Sequence, residues 1–360
     1  MNIRNLNWLP LLLLGALSSS GLAQNLFEAD EFSGNIYVFT TNGVPSVFAS
    51  GLSLPMGLAF DGAGNLFVSC AGGSGVTAGY IAKITPRGQQ TIFVSDLYNP
   101  SGLAFDSGTN LYVACMGNQI NNLGVGQVLK ISPEGTRSTY ASGLSKPSGL
   151  AFDNSGNLFV LVYTATNQLK RIPAAGGIIE ITPGGSTNTV ASLGTDLDVG
   201  LAFDCFGDLF VANYSTSGAI TKYPVGGSSF TWANDLNDPR SIAFDGAGNM
   251  FVSTTGNNSI IEITSGGAQS TFASGLDGPQ GLAFPPPPAL QAVGASIQAN
   301  QFGFTLVGSN NATTIVEACT NLACGIWSSL TTNTLTNGSW YFSDPKWTNF
   351  PSRYYRLHSP

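Results

Sequence analysis

The sequence predicts an all-β protein, a six-bladed β-propeller followed by a small carboxyl-terminal β-sandwich-like domain. The first observation is a recurring pattern, Gly-Leu-Ala-Phe-Asp, then a turn, then Asn-Leu-Phe-Val. The second is its spacing, because a repeat of about 40 to 50 residues made of short strands is typical of a propeller. The third is that the two ends of the repeat region hold complementary parts of one blade. The pattern aspartates are Asp61, Asp106, Asp153, Asp204 and Asp245.

Each full repeat contains four strand-like pieces, which we number outward from the axis. The first is Gly-Leu-Ala-Phe, the second Leu-Phe-Val, the third is rich in Ile and Val, and the fourth resembles Ser-Thr-Tyr-Ala-Ser-Gly-Leu. In the first piece Leu58 and Phe60 alternate with Gly57 and Ala59, which is the period of a packed strand. The Asp, Gly and Asn residues between the first two pieces predict turns, because Asp accepts hydrogen bonds from backbone N–H groups ahead of it and Gly adopts positive φ at low cost. They lack the alternating carboxylates and distal Glu of a calcium-binding loop.

The ends of the repeat region predict how the ring closes. Residues 25–52 match the second, third and fourth pieces, but no first piece precedes them. Residues 281–284 match a first piece, and no further pieces follow. Together these segments complete a sixth blade by a three-plus-one closure, which leaves no open sheet edge between the first and last blades.

The amino terminus predicts a secretory signal peptide over residues 1–23. Arg4 supplies a positive start, residues 8–17 are apolar, and Gly21-Leu22-Ala23 is a small-x-small cleavage site. The apolar run is shorter than the roughly 20 residues that a membrane-spanning helix needs. We therefore expect cleavage after Ala23, no transmembrane segment afterwards, and a secreted, periplasmic or cell-surface protein; an uncleaved anchor is the alternative.

Composition supports a turn-rich protein and disfavours nucleic acid as a partner. Of 360 residues 45 are Gly, and charged residues make up 9%, against about 25% in typical domains. The net charge is −7 with 13 Lys and Arg residues. No basic stripe is present, so the electrostatic basis for binding nucleic acid is missing.

A second domain follows the propeller, which spans residues 24–284. The prolines at 285–288 predict a stiff linker, and residues 289–360 contain short β-like runs rich in Trp and Tyr. Such aromatic residues form the core of a small domain or a sugar-binding surface. This segment is similar to the β-sandwich tails of secreted bacterial proteins.

The five cysteines divide into two groups. We expect Cys319 and Cys324 to form a disulfide in an oxidising compartment, which contributes about 2 kcal/mol in the chain-entropy model. Cys70 and Cys115 occupy the same position of neighbouring blades and are expected to be buried free thiols. Cys205 has no evident partner in the sequence.

Three consecutive blades carry long loops between their second and third pieces, after Cys70, Cys115 and Val162. Long loops on a rigid scaffold are where binding residues concentrate, so these loops predict a wall on one side of the channel mouth. Their amides, tyrosine and cations suit a neutral or weakly acidic polar ligand, such as a glycan or a peptide; loop drift without a ligand is the alternative. The candidate ligand-binding residues are Met116, Asn118, Gln119, Asn121, Asn122, Tyr163, Asn167, Gln168, Lys170 and Arg171.

The blade pattern Pro-x-Gly-Leu-Ala-Phe-Asp-x-x-Gly-Asn-Leu-Phe-Val resembles NHL-repeat propellers and the related gluconolactonase-like and virginiamycin-lyase-like propellers over residues 25–284. The resemblance implies the fold, whereas its members include lactonases, lyases and non-catalytic binding modules. Gluconolactonase-type enzymes hold an axial divalent metal with Asn and Asp residues that precede the inner-strand Gly, together with a Glu. The residues at that position here are Met56, Ser101, Ser148, Val199, Arg240 and Gln280.

No catalytic residue, metal site or cofactor is therefore predicted, although calcium stays an alternative. The lyases that the pattern resembles need histidines, and the chain has one, His358, outside the ring. The sequence favours a non-catalytic binding or scaffold module for a peptide or glycan. The alternatives are a metal-dependent lactonase, hydrolase or lyase of the gluconolactonase-like class, and a structural cell-surface protein.

Deletion of residues 164–175 tests the predicted wall. If the loops bind the ligand, the deletion is expected to weaken ligand affinity, because it removes candidate contacts without interrupting a predicted strand. Unchanged affinity in a binding titration would show that these loop residues do not bind the ligand.

Overall fold

The computed structural model describes residues 13–14, 25–72, 79–117, 126–163, 176–193, 197–286, 291–298, 301–308, 313–319, 328–336, 338–349 and 354–358. The chain divides into two compact units. The larger is Ala23–Pro286, and the smaller combines Met1–Leu22 with Pro287–Pro360. The first strand, β1 (Leu13–Leu14), belongs to the smaller unit.

The larger unit is a six-bladed β-propeller, as the sequence predicts, and each blade is a four-stranded antiparallel sheet. The first eleven strands of the propeller in chain order are β2 (Leu26–Asp30), β3 (Asn35–Phe39), β4 (Pro45–Ala49), β5 (Pro55–Phe60), β6 (Leu66–Cys70), β7 (Gly79–Ile84), β8 (Gln90–Leu97), β9 (Pro100–Phe105), β10 (Leu111–Cys115), β11 (Gly126–Ile131) and β12 (Arg137–Leu144). The remaining strands are β13 (Leu150–Phe152), β14 (Leu158–Tyr163), β15 (Gly176–Ile181), β16 (Thr187–Ser192), β17 (Leu197–Phe203), β18 (Leu209–Tyr214), β19 (Gly218–Tyr223), β20 (Phe230–Leu236), β21 (Pro239–Phe244), β22 (Met250–Thr254), β23 (Ser259–Ile263), β24 (Gln269–Ser274) and β25 (Pro279–Ala283). Blades 2 to 6 are, in order, β5–β8, β9–β12, β13–β16, β17–β20 and β21–β24.

Blade 1 joins the two ends of the propeller. Its strand order is β25-β2-β3-β4, so three strands come from the amino-terminal end and the innermost strand comes from the carboxyl-terminal end. Phe27 lies opposite Ala283, and Glu28 lies opposite Leu282. The inner strands contact their neighbours all round the ring, β5 with β9 and so on to β21 with β25 and β25 with β5. This order agrees with the three-plus-one arrangement that the sequence predicts.

The turn between the first two strands of a blade is built by its aspartate. The Asp61 carboxylate accepts hydrogen bonds from the backbone N–H groups of Ala63 and Asn65 at 3.0 and 2.8 Å, and the Asn65 side chain donates to its second oxygen at 2.7 Å. Asp245 makes the same three bonds within its own turn. Since these carboxylates are occupied by local donors, the prediction of turns is confirmed.

Aromatic pairs join the blades. In every blade the aromatic residue of the second strand meets the Phe of the next blade's first strand, edge to face, with ring centroids 4.9 to 5.2 Å apart. Such pairs contribute about 0.5–1.5 kcal/mol beyond area burial. The pairs are Phe27–Phe60, Phe67–Phe105, Tyr112–Phe152, Phe159–Phe203, Phe210–Phe244 and Phe251–Phe284. The Phe of Gly-Leu-Ala-Phe and the aromatic residue of Leu-Phe-Val therefore recur because they pack on each other.

The glycine of the repeat lies where neighbouring inner strands approach most closely. A Cβ atom at Gly102 would overlap the carbonyl oxygen of Ser148, and one at Gly57 would overlap that of Ser101. The backbone N–H of Gly102 donates to Ser148 O at 2.8 Å, which ties two blades together directly. Between other blades a serine bridges the strands, as Ser69 Oγ donates to Ser101 O at 2.5 Å.

The smaller unit contains two sheets, with strand orders β1-β31-β28-β29 and β26-β27-β30. Its buried residues include Phe304, Phe342 and Tyr355, and Trp340 and Trp347 pack against them. Tyr355, Trp340 and Trp347 therefore belong to the core of this unit, as the core interpretation predicts, whereas Trp327 and the side chain of Tyr354 lie outside the described residues. The predicted cleavage after Ala23 would remove β1. The further elements are β26 (Gln291–Gln298), β27 (Gln301–Val307), β28 (Thr313–Cys319), β29 (Ser328–Thr334), β30 (Ser339–Asp344), a short 3-10 helix (Trp347–Asn349) and β31 (Tyr354–His358).

No helix within the described ranges has the length and apolar character needed to cross a membrane.

Substitution of Gly102 by Ala is expected to destabilise the propeller by about 1–3 kcal/mol, because a methyl group there presses on backbone that cannot move freely. Thermal unfolding of the full chain followed by circular dichroism measures the effect. Gly62→Ala is the matched control, since nothing lies within 4 Å of its Cβ position. Equal melting temperatures for the two variants would contradict this explanation of the repeat glycine.

Candidate functional site

One face of the propeller gathers the ends of the second strands and the beginnings of the first strands; we call it the loop face. The antiparallel register places Pro239 opposite Thr254, and Pro55 opposite Cys70. Each blade therefore offers two positions near the axis. The outer of these positions lies ten residues after the turn aspartate and is held by Ala71, Met116, Tyr163, Tyr214 and Thr255, with Glu31 in blade 1. The inner position, directly before the strand glycine or its replacement, is held by Met56, Ser101, Ser148, Val199, Arg240 and Gln280.

Side chains from four consecutive blades lie at this face, in two contacting groups. We call Met116, Tyr163, Tyr214, Arg240 and Thr255 the mouth cluster. The Arg240 guanidinium carbon lies 4.1 Å from the centre of the Tyr214 ring, and its Nε donates to Thr255 Oγ1 at 3.5 Å. The Tyr163 hydroxyl donates to Met116 Sδ at 3.4 Å. The cluster thus presents aromatic, thioether and cationic groups side by side.

Electrostatics connect the two halves of the mouth cluster. Burial raises the pKa of Tyr163, and the positive charge of Arg240 opposes that rise. Tyr163 lies in blade 4 and Arg240 in blade 6, so this electrostatic interaction spans blade 5. A second cation, Lys146, lies over the Tyr163 ring with its Nζ 5.7 Å from the ring centre. Local positive charge therefore collects here in a protein whose net charge is −7.

Blade 1 contributes polar groups to the same face. The buried Gln280 side chain donates from Nε2 to Glu31 Oε2 at 2.5 Å. Asp30 is also buried, and its two carboxyl oxygens accept the backbone N–H groups of Ser33 and Asp277 at 3.2 and 2.7 Å. The face is therefore polar in blades 6 and 1, whereas Met116, Tyr163 and Tyr214 make blades 3 to 5 aromatic and apolar.

Glu28, in the middle of β2, is a buried carboxyl group without a hydrogen-bond partner. Its position holds a valine in the other five blades. Burial raises the pKa of Glu28 well above its ordinary value, and the negative charge of Asp30 adds to the rise. The nearby backbone N–H of Gln280 opposes the rise without meeting hydrogen-bond geometry. The five equivalent residues are Val68, Val113, Val160, Val211 and Val252.

The inner positions do not supply a divalent-cation site of the gluconolactonase type. Among the described residues, no three His, Cys, Asp or Glu side chains lie together as metal ligands. Met56, Ser101, Ser148 and Gln280 carry no charge, and Arg240 would repel a cation. The inner positions therefore offer no carboxylate ligand to a calcium ion.

The structure describes two of the predicted ligand-binding residues, Met116 and Tyr163, and brings them into contact. The other eight lie outside the described residues: Asn118, Gln119, Asn121, Asn122, Asn167, Gln168, Lys170 and Arg171. The reasoning from sequence missed Tyr214 and, as a binding residue, Arg240. An alignment of the blades would have identified Tyr214, because it occupies the same position in its blade as Met116 and Tyr163 do in theirs.

The cysteines are described in part. Cys70 and Cys115 are buried and free, as predicted, and Cys205 is free and exposed. Burial raises the pKa of Cys70 to about 11 and that of Cys115 to about 12, so both thiols stay protonated. The disulfide between Cys319 and Cys324 stays a prediction, because Cys324 and the side chain of Cys319 lie outside the described residues.

Comparison with known proteins supports the fold. No protein-family model matches the chain, and neither does any curated protein. A gluconolactonase from Xanthomonas campestris shares 15% sequence identity with a TM-score of 0.52, and the match covers 84% of this chain and 97% of that one. The calcium-binding protein regucalcin from Agrobacterium tumefaciens shares 12% with a TM-score of 0.52, covering 72% and 83%.

A streptogramin B lyase structure shares 13% sequence identity with a TM-score of 0.51, covering 80% of this chain and 93% of that one. The chain therefore has the propeller fold of gluconolactonase-like and streptogramin-lyase structures, and the predicted resemblance is confirmed at the level of fold. At these identities the likeness carries no site residue.

Replacing Glu28 by Val is expected to raise the melting temperature, and to raise it more at about pH 8 than at about pH 5. A carboxyl whose folded-state pKa is raised holds its proton longer in the folded state, so stability is lost as pH rises from the ordinary carboxyl pKa towards the raised value. The loss is about 1.4 kcal/mol for each unit of pKa difference traversed. Glu262→Gln, on the third strand of blade 6, is the control. If the melting temperature rose by the same amount at both pH values, the explanation that Glu28 is buried with a raised pKa would be wrong.

Proposed function

We propose that the protein is a secreted binding module that takes a peptide or glycan ligand at the loop face, over the mouth cluster. The observation that carries the proposal is that two contacting pairs, Met116 with Tyr163 and Tyr214 with Arg240, lie on this face in four successive blades. Ligand-binding sites typically place a few polar groups among apolar and aromatic side chains on a rigid scaffold.

The composition of the mouth cluster suits recognition more than structural packing. Tyr, Arg and Met are enriched in the cores of protein interfaces, because they offer large contact areas with polar ends. Tyr163, Tyr214 and Arg240 are only partly buried, so their remaining surface is available to a ligand. The predicted long loops begin directly after Met116 and Tyr163, which makes the predicted wall continuous with the cluster in sequence.

The second candidate is a metal-dependent lactonase, hydrolase or lyase, and the observation that favours it is the shared propeller fold of gluconolactonase and streptogramin B lyase structures. Elemental analysis of the full chain after dialysis against calcium separates the candidates. A stoichiometric, tightly held metal, followed by turnover in lactonase or lyase assays, would replace the binding proposal. Absence of both is the result that the binding proposal expects.

Glycan and synthetic-peptide arrays probed with the full chain provide the ligand for the next step. Tyr163→Ala and Tyr214→Ala are each expected to weaken binding of an array hit about tenfold, because each removes an aromatic contact surface of about 1–1.5 kcal/mol. Isothermal titration measures the affinity. Phe206→Ala is the matched control, since Phe206 is 83% exposed in the turn between β17 and β18, at the opposite end of the blade that carries Tyr214.

Array hits whose affinity is unchanged in both tyrosine variants, yet reduced in Phe206→Ala, would move the binding site to the opposite face.

A further inference from the structure

Arg240 is a cation without an anionic partner among the described residues. The ion pairs of the described chain join Lys130 to Asp106 and Lys222 to Asp204 and Asp208. Arg240 instead lies on the face of Tyr214 and donates only its Nε, to Thr255. Its two terminal amino groups therefore have no hydrogen-bond partner within the described part of the chain.

The position of Arg240 sets it apart from the other inner residues. At the equivalent place in the blades, the residues are Met56, Ser101, Ser148, Val199 and Gln280, none of which is charged. The contact with the Tyr214 ring and the hydrogen bond to Thr255 restrain the guanidinium, which lowers the entropy that a ligand would have to remove on binding. A planar, pre-positioned fork of N–H donors matches the two oxygens of a carboxylate.

We propose that Arg240 receives a carboxylate of a bound peptide, while an apolar side chain of the same peptide packs on Met116, Tyr163 and Tyr214. This inference rests on the proposed function and names the ligand class of that site. The carboxylate is a peptide carboxyl terminus or an acidic side chain beside an apolar residue.

A singly charged peptide group fits the charges of the face better than a polyanion does. Arg240 and Lys146 are the described cations near the cluster, and Glu31 contributes a negative charge in the adjoining blade. The whole chain carries a net charge of −7, so a ligand with many negative charges is repelled as it approaches. The flexible thioether of Met116 and the two tyrosines adapt readily to peptide side chains.

The chain provides its own reporters for a test. It has four methionines, Met1, Met56, Met116 and Met250. Met116 belongs to the mouth cluster, whereas Met250 is 2% exposed at the start of β22, which is the opposite end of that strand from Thr255. NMR of methyl-labelled methionine in the full chain therefore follows binding at the cluster through Met116, with Met250 as an internal control.

The probes are N-acetyl-alanyl-phenylalanine with a free carboxylate and the same peptide as its carboxyl-terminal amide. We expect the acid to shift the Met116 signal and to bind roughly ten- to a hundredfold more tightly than the amide, the usual effect of a hydrogen bond to a charged group. In Arg240→Gln the acid should bind no better than the amide. Arg87→Gln, an exposed arginine in the turn between β7 and β8, should keep the difference.

Each result bears on the inference separately from the proposed function. Equal binding of acid and amide to the unaltered protein, with a Met116 shift, overturns the carboxylate recognition and leaves peptide binding at the face. No Met116 shift with either peptide overturns the inference, and the array hits then test the proposed function alone. Arg240-dependent binding of trigalacturonate in place of the peptide assigns the carboxylate to a glycan and overturns the peptide class.

The variant Arg240→Lys shows whether a loss of binding in Arg240→Gln comes from a folding defect. It keeps the charge but loses the planar fork, so we expect an intermediate preference for the acid and a melting temperature near that of the unaltered chain. A preference for the acid equal to that of the unaltered protein would contradict fork-to-carboxylate pairing.

Discussion

The edge-to-face aromatic pair between neighbouring blades is the interaction on which the rest of the structure depends. It recurs at all six blade interfaces, including the one between Phe251 and Phe284 that closes the ring. Each pair draws the first strand of one blade against the second strand of the previous blade, and the inner strands then approach so closely that glycine is required at Gly57, Gly102 and Gly281. The spacing of the inner strands in turn sets the distance between side chains at the loop face.

The loop face combines residues that are distant in sequence because the ring has fixed angular steps. Tyr163, Tyr214 and Arg240 lie in three successive blades, yet Arg240 lies on the Tyr214 ring and its charge acts on Tyr163. No single blade contains the site, so its chemistry depends on the closure in blade 1. Glu28 lies in that same blade, where a buried carboxyl without a hydrogen-bond partner replaces valine and makes the stability of the joining blade decrease as pH rises.

The fold could be predicted from the sequence because its constraints repeat. The glycine, the two aromatic residues and the turn aspartate each recur for a local physical reason, and their repetition along the chain makes the pattern easy to recognise. The site could be predicted only in part, because its residues are the ones that differ between blades. The long loops of their blades identify Met116 and Tyr163 as candidate binding residues, whereas Tyr214 is followed by a short loop. Arg240 differs in sequence from the other inner residues only as a residue that cannot bind a metal ion. Glu28 differs from the valine of the other five blades, which comparison of the blades reveals, but its lack of a hydrogen-bond partner is visible only in the structure.

The central claim is that side chains from separate blades converge on one space at the loop face. Measuring the pKa of the Tyr163 phenol by NMR, in the unaltered chain and in Arg240→Met, tests it without any ligand. Because the Arg240 charge opposes the rise that burial causes, its removal should raise the pKa of Tyr163 further. The pKa of Tyr140, which burial also raises but on which Arg240 does not act, should stay the same and serves as the control. An unchanged pKa for Tyr163 would show that the two side chains do not face each other, and would contradict the mouth cluster as a single site.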